Sequence, residues 1–238
     1  MILEMNGKCK HCGNSIKQTI YPVTNELIDL PCMCKGAKEE RGDDKLDQQA
    51  IDEVILNYLR NKSGMGFREL ESTFENFIET KENKKAKKIA MEYAKEFNEN
   101  TEKGLVFYGS YGTGKTHLAS AIANELINKR IPVLNMKMLD MIKYIKDSFD
   151  ESFSPLDDFR EAKVLIIDDL GKESQRYWAS SQVYSIIDYR YSHRLPTIIT
   201  TNLHSDKFKE IYGGAMVDRL KEMTTPIVLG GESWRKDK

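Results

Sequence analysis

The stretch GSYGTGKT, Gly109 to Thr116, decides the fold. It satisfies G-x-x-x-x-G-K-[ST] at every fixed position, and its surroundings have the strand–loop–helix order that this motif requires. GLVFYG (104–109) precedes it as a short apolar strand. KTHLASAIANELINKR (115–130) follows as a helix, with Leu118, Ala119, Ile122, Ala123, Leu126 and Ile127 on one side. Gly109, Gly112 and Gly114 permit turns that side chains would obstruct. The backbone N–H groups of Gly109, Ser110, Tyr111, Gly112, Thr113, Gly114, Lys115, Thr116 and His117 can then converge on phosphate oxygens, helped by the helix N-terminus. Lys115 reaches the β- and γ-phosphates, and the Thr116 hydroxyl is a ligand for Mg²⁺.

Downstream, strands and helices keep alternating. IPVLNM, AKVLIIDDL, PTIITTN and TPIVLG read as four further strands. MKMLDMIKYIKDSF and SSQVYSIIDYRY read as helices, as does Asp206 to Met223 with a break at its GG. Continuous apolar strands between helices predict an α/β fold whose parallel five-stranded sheet has helices on both faces. In such a sheet all strand C-termini open on one crevice. VLIIDDLG (164–171) therefore delivers Asp168 to the metal, and its neighbour Asp169 to the attacking water. TTN (200–202) points Asn202 at the same water or at the γ-phosphate.

Toward the N-terminus the pattern changes. All four cysteines lie within the first 34 residues, as CKHC (9–12) and PCMC (31–34). No signal-peptide apolar core and no membrane-length apolar run is present, which predicts a cytoplasmic, reducing setting and no membrane partner. Disulfides are disfavoured there. Cys9, Cys12, Cys32 and Cys34 suit one tetrahedral Zn²⁺, with His11 a spare ligand. So short a segment builds no apolar core, and the metal would supply its folding energy. Asp43 to Arg60 is a helix in which Leu46, Ala50, Ile51, Val54, Ile55, Tyr58 and Leu59 recur at helical spacing, and NKSGMG ends it as a hinge. The expected organisation is a zinc-binding head (1–36), a helix and linker (37–66) and an ATPase domain (67–238).

The formal net charge of the 238 residues is -1, so nucleic-acid binding must come from local patches. KENKKAKK, Lys81 to Lys88, is the densest basic run. It reads first as a solvated helix face and second as a track for a single-stranded DNA backbone. Tyr177 and Trp178 are open to the same two readings, packing or base stacking.

STFENF (72–77), GLVFYGSYGTGKTHLASAIA (104–123), VLIIDDLG (164–171), LPTIITTN (195–202), VDRL (217–220) and GESWRKD (231–237), in that order, resemble the AAA+ ATPases. More closely, they resemble the bacterial helicase loaders of the DnaC/DnaI type and the related IstB transposase helper ATPases. The resemblance runs from about Phe67 to the C-terminus. It implies that Asn202 is a sensor, that Arg219 is an arginine finger acting on a neighbouring subunit's ATP, and that Arg235 is a second sensor. It further implies an ATPase domain without a C-terminal lid, Phe74 and Phe77 near the adenine, and a zinc-binding head that contacts the helicase. Asp169 departs from the usual Asp-Glu pair, yet DDLG is familiar among these loaders. The expected function is an ATP- and Mg²⁺-dependent loader of the replicative DNA helicase. It would bind single-stranded DNA, assemble as a homo-oligomer on the helicase and hydrolyse ATP slowly. A transposase helper ATPase and a nucleotide-sensing adaptor without significant hydrolysis are the alternatives.

Overall fold

The computed structural model describes residues 2–8, 12–13, 15–20, 27–29, 44–147, 155–171, 177–231 and 233. The chain divides into two compact units, Met1–Tyr58 and Leu59–Lys238. In the first, β1 (Ile2–Lys8), β2 (Ser15–Ile20) and β3 (Leu27–Asp29) form an antiparallel sheet in the order β1-β2-β3. The cysteine pattern had not announced these strands. Helix α1 (Asp44–Lys62) runs through the division and ends two residues beyond the expected Arg60. Val54, counted on its apolar stripe, is 68% exposed.

In the second unit, β4 (Gly104–Tyr108), β5 (Val133–Lys137), β6 (Val164–Leu170), β7 (Thr197–Thr201) and β8 (Thr224–Val228) form one sheet in the order β5-β6-β7-β4-β8. All four pairings are parallel. The helices are α2 (Phe67–Leu70), α3 (Lys84–Glu96), α4 (Lys115–Asn128), α5 (Met138–Asp147), α6 (Pro155–Glu161), α7 (Tyr177–Ser192), α8 (Ser205–Tyr212) and α9 (Gly214–Met223). Val106, Leu165, Ile167 and Ile199 join residues of α5 to α9 in one buried cluster. Strand alternation turns the equally buried Leu105, Ile166 and Ile198 to the other face, where α4 packs against β5, β6 and β7 with α3 behind it. The central strands thus bury both faces, which is why they read as unbroken apolar runs.

Both sheet edges are blunted. Pro226 sits in β8, where its missing N–H costs no ladder bond with a further strand. Along β5, Asn135 donates its N–H to Ser63 O at 2.7 Å. Ser63 is fully buried, and its hydroxyl donates to Arg60 O at 2.6 Å. The segment expected to act as a hinge therefore straps the sheet edge, because an edge strand's N–H groups need acceptors.

Arg190 is 0% exposed, and its guanidinium donates to the carbonyls of Phe159, Arg160, Ala162 and Pro196 and to the Thr197 hydroxyl. The five-donor fork of arginine suits this convergence of loop ends at the N-terminal side of the sheet.

Candidate nucleotide site

At the opposite, C-terminal side, the phosphate loop leaves β4 and enters α4. Gly114 caps α4 at φ 97, a left-handed conformation that a side chain disfavours. A Cβ at Gly114 would also stand 2.6 Å from the Phe77 ring. At Gly112 a Cβ would collide with the Ser233 side chain, so Ser233 comes down onto the loop at this point.

Lys115 is 5% exposed, and its ammonium donates to Gly109 O at 2.9 Å, Ser110 O at 2.7 Å and Asn202 Oδ1 at 2.7 Å. Asn202 Nδ2 in turn donates to Asp169 Oδ1 at 3.3 Å. Thr116 Oγ1 donates to Asp168 Oδ1 at 2.8 Å. Strands β4, β6 and β7 thus bring Lys115, Thr116, Asp168, Asp169 and Asn202 into one network. Asp168 is 4% exposed, and burial, the largest influence, pushes its pKa up. The Thr200 and Thr116 hydroxyls pull it back, Asp169 raises it and Lys137 lowers it. A buried acid perturbed in this way, beside a phosphate loop, is a candidate functional group. The paired hydroxyl and carboxylate are hard oxygen donors of the kind that Mg²⁺ takes.

A cavity of about 240 Å³ opens over this network, lined by Asn76, Phe77, Ile78, Tyr111, Gly112, Gly114, Lys115, Thr116, His117, Asp169 and Asn202. Two asparagines shape residues 71–83, the connector between α2 and α3 that contributes Asn76, Phe77 and Ile78 to the cavity wall. Asn76 Oδ1 accepts from Thr73 N at 2.9 Å, and Asn83 Nδ2 donates to Ile78 O at 3.1 Å. His117 contacts Thr73 O through Nε2 at 2.8 Å and meets Phe77 edge-on, with ring centroids 5.3 Å apart. His117 therefore also anchors the connector to α4. Phe77 lines the cavity, whereas Phe74 is 5% exposed and lines a separate groove between α3 and α4. Ser110 and Thr113 hold the loop's shape, with Thr113 Oγ1 donating to Ser110 O at 3.0 Å.

Other expected site residues stand apart. Arg219 lies on α9, where Nη2 pairs with Asp188 Oδ1 at 2.6 Å and the guanidinium lies 5.1 Å from the Tyr184 ring and 5.7 Å from Tyr191. It is not among the residues lining its own chain's cavity. Arg235, Cys9, His11, Cys32 and Cys34 lie outside the described residues. Cys12 is exposed, and among the described residues no group of three or more His, Cys, Asp and Glu is placed to hold a metal. Lys84 and Lys87 pair with Glu79, and Lys88 with Glu92, as on a solvated helix face. Trp178 packs against the core cluster. Among the described residues no helix is long and apolar enough to cross a membrane.

Sequence reasoning passed over Thr200. It is fully buried, and its hydroxyl donates to the Asp168 carboxylate and accepts from the Asp169 backbone N–H. A threonine in an apolar strand reads as a β-former, and only the strand register brings it beside the β6 aspartates.

The family described as IstB-like ATP binding protein matches residues 58–238. The replicative helicase loader DnaI of Bacillus subtilis (strain 168) is 25% identical, over 98% of this chain and 80% of its own length. The replicative helicase loader DnaC of Escherichia coli (strain K12) is 30% identical, over 73% of this chain and 70% of its own. The crystal structure of a DnaC helicase loader superposes with a TM-score of 0.64 at 29% identity, covering 69% of this chain and all of that one.

Proposed function

The chain belongs to the IstB-like ATP binding protein family, and on that premise we propose that it is an ATP-dependent loader of a replicative DNA helicase. The observation that carries the loader reading is the reach of the likeness to DnaI, which covers 98% of this chain and so includes the N-terminal unit. The IstB-like match by itself begins at residue 58.

Within the site, Lys115 and the N–H groups from Gly109 to His117 would hold the phosphates, and Phe77 and Ile78, which line the same cavity, would face the base. Thr116 and Asp168 would hold Mg²⁺, which would supply charge neutralisation to the phosphates. Asp169 orients the attacking water and takes its proton, while Asn202 keeps Asp169 and Lys115 in register. Arg219 acts on a neighbouring copy's ATP, and Arg235 acts as a second sensor. The assembly is a homo-oligomer on the helicase, and single-stranded DNA joins ATP in controlling release. Purified chain mixed with its host's replicative helicase is expected to co-elute in gel filtration, to a different extent with ATP than with ADP. No complex in any nucleotide state would overturn the loader reading.

In this reading the head holds one Zn²⁺ through Cys9, Cys12, Cys32 and Cys34 and grips the helicase. Two close cysteine pairs in a short segment support it. Protein purified without chelator is expected to contain stoichiometric zinc, and replacing Cys32 and Cys34 together is expected to abolish helicase binding while sparing ATP binding. Elemental analysis without zinc would remove the metal from the head.

A further inference from the structure

We propose that Thr200 is a positioning residue that holds both acids of the site through one hydroxyl. The pairing of β6 with β7 runs regularly from Leu165 to Ile167, then shifts before Leu170, so Asp168 and Asp169 sit in a bulge. Bulges re-aim side chains next to active sites and leave a residue without its ladder partner. Asp169 has φ 60, which turns its backbone out of the strand conformation. Its N–H goes to Thr200 Oγ1 at 2.9 Å, so a side chain on β7 replaces the ladder acceptor. The same oxygen donates its hydrogen to Asp168 Oδ1 at 2.6 Å. A hydroxyl has one hydrogen to give and lone pairs to receive, and Thr200 uses both functions here. It lies in the fully buried β7, whose backbone is fixed by pairing on both sides. It thereby fixes Asp168 next to Thr116 and fixes the bulge that aims Asp169 at the cavity.

This inference rests on the reading of the site as an Mg²⁺-dependent ATPase, and the test separates the two. Thr200→Val keeps the branched shape and deletes both hydrogen bonds. Full-length Thr200→Val is expected to bind a non-hydrolysable ATP analogue as wild type does in EDTA. The gain in affinity on adding Mg²⁺ falls about tenfold, the scale of one hydrogen bond to a charged group. In steady state kcat falls about 10²-fold, the cost of misplacing a catalytic group by about 1 Å, with less change in KM. Thr200→Ser, which restores the hydroxyl, is expected to recover both quantities to within about threefold of wild type. Should Thr200→Val fail to fold by circular dichroism, Thr200→Ala, which also removes the hydroxyl, is read against the same thresholds.

A folded hydroxyl-free variant with wild-type Mg²⁺ gain and kcat overturns the proposal alone. So does a serine variant as impaired as the valine one, because restoring the hydroxyl then restores nothing. If wild type itself binds the analogue no better than Lys115→Ala does, the ATPase reading falls and the proposal falls with it.

Discussion

Asp169→Asn is expected to bind ATP as wild type does and to hydrolyse it about 10²–10⁴-fold more slowly, the contribution of a positioned general base. The substitution is nearly isosteric, and the geometry around it survives. Asparagine tolerates the left-handed backbone that Asp169 adopts at φ 60 as well as aspartate does. The backbone N–H still reaches Thr200 Oγ1, and the amide oxygen still accepts from Asn202 Nδ2. In the proposed site the phosphates and the metal fall to Lys115, Thr116 and Asp168, which keep their own hydrogen bonds in the variant, so affinity is expected to be unchanged. Only the proton acceptor is lost. Single-turnover hydrolysis, with and without single-stranded DNA and helicase, measures the loss, and calorimetry checks the affinity. A rate equal to wild type removes Asp169 from the chemistry and favours the nucleotide-sensing adaptor.

The left-handed backbone also bears on why the second acid is aspartate. Short polar side chains occupy that region at small cost, and Asp and Asn are the non-glycine residues enriched there. A glutamate at the same φ fits less easily, although its extra methylene would bring the carboxylate nearer the water. Reach gives way to a stable bulge. A shortfall near 1 Å costs about 10²-fold in rate. Wild-type turnover is therefore expected below roughly 1 s⁻¹, the low end of the usual enzyme range. A loader that holds one state and releases it once is well served by such a rate.

The sheet was legible because each strand is short, apolar and bounded by polar turns. Deep burial on both faces erases alternation and leaves runs such as VLII and TII standing out. The phosphate loop was legible because its chemistry leaves few residue choices at each fixed position. What stayed hidden depends on register and convergence. Arg190 sits in SIIDYRY like any solvent-facing cation, yet it is fully buried because four separate carbonyls meet there. Thr200 acquires its role from a shift in a neighbouring strand. NKSGMG has hinge composition, and only the unpaired edge of β5 makes it a strap. In the head, ILEMNGK and SIKQTI are too polar to stand out as strands.

Arg219→Ala is expected to leave nucleotide affinity unchanged and to lower assembly-stimulated hydrolysis by about 10³–10⁵, the worth of an arginine finger supplied by a neighbour. Arg219 belongs to α9, away from its own chain's cavity, and is held by Asp188 between Tyr184 and Tyr191. To act on a neighbour it must leave that pair. The side chains of Arg219 and Asp188 are 26% and 42% exposed, so the pair is partly solvated. Such pairs are worth about 0–1 kcal/mol. A 10³-fold acceleration corresponds to about 4 kcal/mol at the transition state, so the exchange runs in favour of the finger. Partial exposure also means that Asp188 keeps water when the arginine is removed, and the fold survives. Mixing decides whether the site is shared between copies. Arg219→Ala subunits bind ATP but receive no finger from one another, whereas Lys115→Ala subunits carry the finger and bind no ATP. Mixed together, an Arg219→Ala subunit next to a Lys115→Ala neighbour regains a complete site, and activity is expected to rise above that of either variant, with a maximum at intermediate ratios. Flat activity at every ratio, with both variants still forming the assembly, would place Arg219 outside the shared site.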